Sequence, residues 1–199
     1  MSLEHILLGM LREPASGYDL KAAFDETARF FWSAELSQIY PTLQRLERLG
    51  LLRSKRQPSP SGPPRRVYHR TAAGTKALRR WLKSEPEMNA QRVPYIAQLI
   101  HLGELKDCDT TLDFLAQLSE QFEAFADVLN TAAKEFEEMG DGDPATSLND
   151  VEFHEFLCVK MGVEVAQARI RACDAATKAV KRRIKKQIKQ GAESHAISS

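Results

Sequence analysis

Apolar residues along the first 83 positions recur at helical spacing, then at strand spacing, then at helical spacing again. Leu3, Ile6, Leu7, Met10 and Leu11 share one stripe and predict a helix over SLEHILLGMLR, which Ser2 can cap and Pro14 closes. Ser16-Gly17 opens a second helix, YDLKAAFDETARFF, with Tyr18, Phe24, Phe30 and Phe31 as core bulk. A short turn at Trp32-Ser33 follows. Ile39, Leu43, Leu46 and Leu49 then predict a third helix, with Ser37 as N-cap and Gly50 placed as a left-handed C-cap. Pro41 falls near its front. With Ser37 as cap, the proline forfeits only the first ladder bond and angles the start of the helix. Leu51–Gln57 and Arg65–Arg70 predict short strands on either side of PSPSGPP, a turn or loop. Thr71 caps a fourth helix, AAGTKALRRWLKS, that buries Leu78, Trp81 and Leu82. Three helices, a strand, a proline-rich loop, a strand and a helix make a winged helix-turn-helix over residues 1–83.

The pattern changes after a breaker-rich linker, SEPEMNAQRVP (84–94). Leu115, Leu118, Phe122, Phe125, Leu129, Ala132 and Phe136 alternate three and four apart, the signature of a heptad seam. GDGDP (140–144) interrupts it. Phe156, Val159, Val163, Ala166, Ile170, Cys173, Thr177, Val180 and Ile184 then repeat the rhythm. Two helices of roughly 30 and 40 residues follow, and one chain has little else to cover both seams. The expectation is a helical hairpin that pairs with a second copy; the alternative is a coiled coil confined to one chain. The predicted fold class is mainly α: the winged helix-turn-helix, then a long-helix antiparallel coiled-coil dimerisation domain over 95–190. Phe122, Phe125, Leu129, Val163, Ile170 and Val180 are assigned to the dimer contact, and 191–199 to a disordered tail.

Charge changes the picture more than composition does. The formal net charge is +1, but residues 1–83 hold 15 Lys and Arg against 7 Asp and Glu, whereas 84–177 hold 6 against 19. The segment 178–199 is basic again, 7 against 1. Residues 45–83 alone carry 12 basic groups and a single acid, Glu47. Such asymmetry points to a polyanion-binding head on an acidic body. Three scattered cysteines form no disulfide framework, no apolar run approaches membrane-spanning length, and the N-terminus carries Glu4 rather than a basic leader. The expectation is a cytoplasmic protein without a membrane association.

Leu7-Leu8-Gly9, Pro14, Ser16-Gly17-Tyr18-Asp19-Leu20, Phe31-Trp32, Gln38-Ile39-Tyr40-Pro41, Gly50-Leu51, Arg66-Val67-Tyr68 and Thr71-Ala73-Gly74 occur in this order. Together they resemble the PadR family, the phenolic acid decarboxylase regulators, over residues 3–83. The acidic helical half is similar to that of the long, virulence-regulator-like members by architecture more than by motif. The resemblance implies a dimeric bacterial transcription factor, often a repressor, whose C-terminal helices form the dimer and sometimes influence the response to an effector. The PSPSGPPRR wing is longer and richer in proline than the short Gly-Arg turn usual there.

With the apolar stripe of the third helix against the core, Ser37, Gln38, Tyr40, Thr42, Gln44, Arg45 and Arg48 lie on the opposite face. Gln38 and Thr42 are assigned to base edges, Tyr40 and Arg45 to phosphate or base, with Ser37 beside them. For Tyr40, half-burial against the second helix is the alternative. Arg65 and Arg66 at the wing base suit phosphate or the minor groove, supported by Lys55. Trp32 and Tyr95 are candidates for a small aromatic or other effector, although aromatics at helical spacing are more often core. His154 and Cys158 share a helix face but lack further ligands, so a buried Cys158 beside a surface His154 is expected, with no metal and no cofactor. No nucleophile, phosphate-loop or dinucleotide motif is present, so an enzyme is not expected. The functional expectation is a dimeric repressor of double-stranded DNA on a pseudo-palindromic operator, possible effector response included. The alternative is an architectural or protein-interaction module with a degenerate winged helix.

Overall fold

The computed structural model describes residues 2–27, 35–59, 62–86, 93–139 and 142–197. They divide into two compact units, Met1–Asn89 and Ala90–Ser199. In the first, α1 (Ser2–Met10), α2 (Gly17–Thr27), α3 (Leu36–Arg48) and α4 (Ala72–Leu82) accompany strands β1 (Ala15–Ser16), β2 (Leu52–Ser59) and β3 (Gly62–Arg70). The sheet is antiparallel in the order β1-β3-β2. Leu7, Leu8, Leu11, Leu20, Phe24, Ile39, Leu43, Leu46, Leu52, Tyr68 and Leu78 make one core cluster. Each such side chain stabilises by roughly 1.5–3 kcal/mol when fully buried.

Local chemistry sets the ends of α3. Glu35 is its N-cap, and its side chain and that of Gln38 satisfy each other's backbone donors in a capping box. The helix thus starts ahead of the expected Ser37 cap, and Pro41 lies two residues deeper, so the bond it omits, to the Ser37 carbonyl, is no longer the first of the ladder. At the other end Leu51 N donates to Leu46 O and Gly50 N to Glu47 O, both 2.9 Å. Gly50 has φ +70, so this is a Schellman turn in which only glycine is unstrained. Leu49, expected in the core, is the C-cap and is 62% exposed. Leu82 is exposed as well, because α4 ends there.

The wing differs from its expected outline. β2 continues through Pro58 to Ser59 and β3 begins at Gly62, with a register irregularity between Gln57 and Ser59. Pro58, Ser59 and residues 62–64 of the PSPSGPP stretch therefore belong to the strands of the hairpin. Two-stranded ribbon tolerates proline because its outer donors have no partner strand to serve.

The second unit contains α5 (Pro94–His101), a 3-10 turn (Leu102–Leu105), α6 (Cys108–Met139), the single turn α7 (Pro144–Ser147) and α8 (Asp150–Ile197). Helix α8 continues beyond residue 190 to Ile197, into the segment 191–199 expected to be a disordered tail. At about 1.5 Å per residue, α6 and α8 extend about 48 and 72 Å. They run antiparallel: Phe136 meets Phe156 edge-on at 6.2 Å, Arg169 lies over Phe122 at 5.5 Å, and Cys108 reaches Gln187. Between these, a Cβ on Gly162 would stand 3.0 Å from Leu129 Cδ1. Ala126 and Ala133 are buried, while Phe125 and Ala132 are only half-buried. A helix with 3.6 residues per turn drifts off a strict heptad, and the contact moves one position along.

The residues assigned to the dimer contact already pack within one chain. Phe122, Leu129 and Val163 are buried, and Phe125, Ile170 and Val180 are half-buried, within the unit of a single chain. The two heptad seams mate with each other. None of the described helices is long and apolar enough to cross a membrane.

Candidate nucleic-acid interface

Helix α3 buries Ile39, Thr42, Leu43 and Leu46 and leaves its opposite face to solvent. Ser37, Pro41, Gln44 and Arg48, at steps of four, three and four, form the centre of that exposed face. Gln38, Tyr40 and Arg45 flank it and are also exposed. Thr42 is not on it. It is 7% exposed and its hydroxyl donates to the Gln38 carbonyl at 2.7 Å. Successive residues of a helix turn by about 100°, which carries position 42 toward the core edge next to Ile39 and Leu46. Gln38 is exposed but has a structural duty, since its side-chain oxygen accepts from Glu35 N at 3.1 Å. Tyr40 is 39% exposed and its ring lies over Gly17, where a Cβ would stand 2.5 Å from the ring. The centre of the exposed face therefore includes Gln44 and Arg48.

The wing carries charge on both faces. Register sets Lys55 opposite Val67 and Gln57 opposite Arg65 on one face, and Arg56 opposite Arg66 on the other. Lys55, Arg65 and Arg66 are all exposed. Three arginines of the expected surface each meet a carboxylate from another element. Arg45 pairs with Glu4 of α1 at 2.7 Å, Arg65 with Asp19 of α2 at 3.6 Å, and Arg66 with Glu47 of α3 at 2.5 Å. These pairs hold flexible side chains in place while leaving guanidinium donors for phosphate. Arg70 serves the fold instead, its Nη1 donating to the Leu8 carbonyl at 2.7 Å.

Asp19 also closes the start of α2. Ser16 N and Ser16 Oγ donate to its carboxylate at 2.9 and 2.8 Å, and Asp19 N donates back to Ser16 Oγ. Hydrogen bonds from the Ser16 backbone and hydroxyl, with Arg65 nearby, hold the carboxyl below the usual aspartate value. Burial of Tyr68, 1% exposed, pushes its phenol up against the opposing pull of Arg66.

The model of the transcriptional regulator PadR-like family matches residues 6–80, the span of this head. Residues 6–80 are thus similar to the PadR-like family's domain. Bacillus subtilis PadR, a negative transcriptional regulator, is 36% identical over 81 residues, covering 40% of this chain and 44% of the relative. A probable transcriptional regulator of Mycobacterium tuberculosis is 34% identical over 87 residues, covering 43% and 46%. Both matches thus span less than half of the curated relatives. The fold similarity reaches further. Bacillus subtilis PadR solved with operator DNA has a TM-score of 0.77 at 21% identity, over 90% of this chain and 99% of that one. The same protein solved with p-coumaric acid gives 0.70 at 22%, over 90% and 94%. The PadR-like head and the long-helix unit therefore share one architecture with a solved regulator.

The two effector candidates are not brought together among the described residues. Trp32, with Phe30 and Phe31, lies outside them. Tyr95 packs edge-on to Phe122 at 5.4 Å, beside Phe114 and Ile170, as a component of the helical unit's own core. Cys158, expected to be buried, is exposed, as is His154. The His154 ring nitrogen Nδ1 lies 2.5 Å from the Asp150 carbonyl, one helical turn away.

Proposed function

We propose that this PadR-like protein is a dimeric, sequence-specific DNA-binding repressor. The observation that carries the reading is the exposed stripe Ser37-Pro41-Gln44-Arg48 on α3, flanked by Arg45 and by the wing arginines Arg65 and Arg66. A helix of this kind enters the major groove, where Gln44 matches adenine and Arg48 matches guanine or phosphate. Arg45, Lys55, Arg65 and Arg66 bind phosphate or the minor groove and set register without specifying sequence. Repression follows the named role of the Bacillus subtilis relative. Such a regulator acts in the cytoplasm, where its DNA is.

The dimer in this reading uses a second heptad on α8. Cys158, Met161, Val165, Ala168, Ala172, Ala175 and Ala179 repeat three and four apart, and every one is exposed. This stripe lies on the far side of α8 from the seam mated to α6. Small residues along it allow two α8 helices close approach. Charge favours the antiparallel arrangement: the α8 start carries Asp150, Glu152, Glu155 and Glu164, and its later half carries Lys178, Lys181, Arg182 and Lys185. A two-fold pairing sets two recognition helices on successive half-sites about 34 Å apart. A small aromatic effector that alters this spacing completes the proposal, supported by the p-coumaric acid complex of the Bacillus relative.

The test is a salt titration of binding to fragments selected from the host genome and to arbitrary duplex. The expected result is a preference for selected fragments that persists while affinity for both falls with salt. Equal binding at every salt concentration refutes the regulator and leaves an architectural module.

A further inference from the structure

Among 12 basic groups in residues 45–83 there is one acid, Glu47, and it is fully engaged. Its Oε1 accepts from Ser54 N at 3.0 Å and from Ser54 Oγ at 2.6 Å. Its Oε2 accepts from Arg66 Nη2 at 2.5 Å, and Arg66 Nε donates to Ser54 Oγ at 2.6 Å. The carboxylate thus ties the last turn of α3 to β2 and, through Arg66, to β3. Arg66 faces Arg56 across the ladder, a like-charge pairing that would push the wing root apart without an anion beside it. The Arg66 guanidinium also lies 5.5 Å from the centre of the Tyr68 ring, which is buried in the core.

The geometry points to Glu47 as a positioning residue for DNA recognition, clamping the wing arginine to the recognition helix. The inference rests on the DNA-binding reading above. Two effects oppose each other. A carboxylate beside a phosphate-binding arginine weakens binding to every sequence, because it competes with phosphate and repels it. The same carboxylate holds Arg66 by Nη2, and the Ser54 hydroxyl that it anchors holds Nε, so that Nη1 meets phosphate at one angle relative to α3. Glu47 therefore lowers affinity for arbitrary DNA and sharpens the match at sites where α3 and wing engage together. Surface ion pairs alone contribute little stability, so the consequence of this one lies in selectivity.

The experiment compares Glu47→Gln and Glu47→Ala with wild type in the full chain, on a selected fragment and on arbitrary duplex of equal length, across a salt series. Glutamine keeps an acceptor for Ser54 and removes the charge that holds Arg66. Both variants are expected to bind arbitrary DNA more tightly, with a salt dependence steeper by about one unit of slope. The preference for the selected fragment should fall about tenfold, the worth of one well-placed contact. Glu47→Gln should unfold at the wild-type temperature, which separates positioning from folding. In an Arg66→Ala background, Glu47→Gln should change the preference no further. An unchanged preference in Glu47→Gln, or a further loss in the Arg66→Ala background, overturns the proposal. Absence of any fragment preference in wild type overturns the DNA-binding reading and this inference with it.

Discussion

Gly74→Ala should destabilise the head, although alanine is the better helix former by about 1 kcal/mol. A Cβ at Gly74 would stand 2.2 Å from the Leu51 carbonyl oxygen and 3.1 Å from its carbon. Those are backbone atoms, so no side chain can swing aside; α4 must retreat by about 1 Å to reach ordinary contact. Retreat stretches the bonds that Thr71 N and Thr71 Oγ1 make to the same carbonyl, now 3.1 and 3.0 Å. Overpacking of this kind typically costs about 1–3 kcal/mol, and weakening two hydrogen bonds adds about 1. After the helix gain is subtracted, a net loss of roughly 1–3 kcal/mol remains, or about 4–8 °C per kcal/mol for a domain of this size. Gly9 is the control, since nothing lies within 4 Å of a Cβ there, and Gly9→Ala should be neutral or stabilising. The assay is thermal unfolding followed by tryptophan fluorescence. It isolates the head because Trp32 and Trp81, the only 2 tryptophans, both lie in residues 1–89. Equal or raised stability for Gly74→Ala would refute the steric argument.

Gln44→Ala should lower affinity for the preferred fragment by roughly 1–3 kcal/mol and relax base choice, whereas Arg65→Ala should weaken all sequences alike; a fragment-selection assay separates them. Ala172→Glu sets a carboxylate in the middle of the exposed α8 stripe and should halve the mass seen by sedimentation while leaving the helical circular dichroism unchanged. Unchanged mass would remove α8 as the dimer face. Because the Asp19 carboxyl is held below its usual value, the stability it adds is present above about pH 4 and is lost as pH falls through its folded value. The stability gap between wild type and Asp19→Asn, measured by urea unfolding, should therefore close in acid.

Local rules had enough information for the order of elements and most of their ends. The stripe Ile39-Leu43-Leu46, the Thr71 cap and the left-handed Gly50 depend on neighbours within one turn, and all three stand in the structure as read. Strand β1 was not legible, because two residues paired with Tyr68 and Val67 have no periodicity of their own. The burial of Thr42 is illegible for a related reason: a polar residue at a core boundary satisfies its hydroxyl within the helix, a choice that only packing reveals. The long helices show the limit most clearly. Two heptads on α8 have the same rhythm, and periodicity cannot say which one a neighbour occupies. Pairing with α6 through Phe156, Gly162 and Arg169 decided that, and left the alanine-rich stripe facing outward. Charge counts along the chain likewise pointed to a basic head. Only the fold brought Glu4, Asp19 and Glu47 to Arg45, Arg65 and Arg66, since ion pairs between distant elements exist only when the core has set those elements side by side.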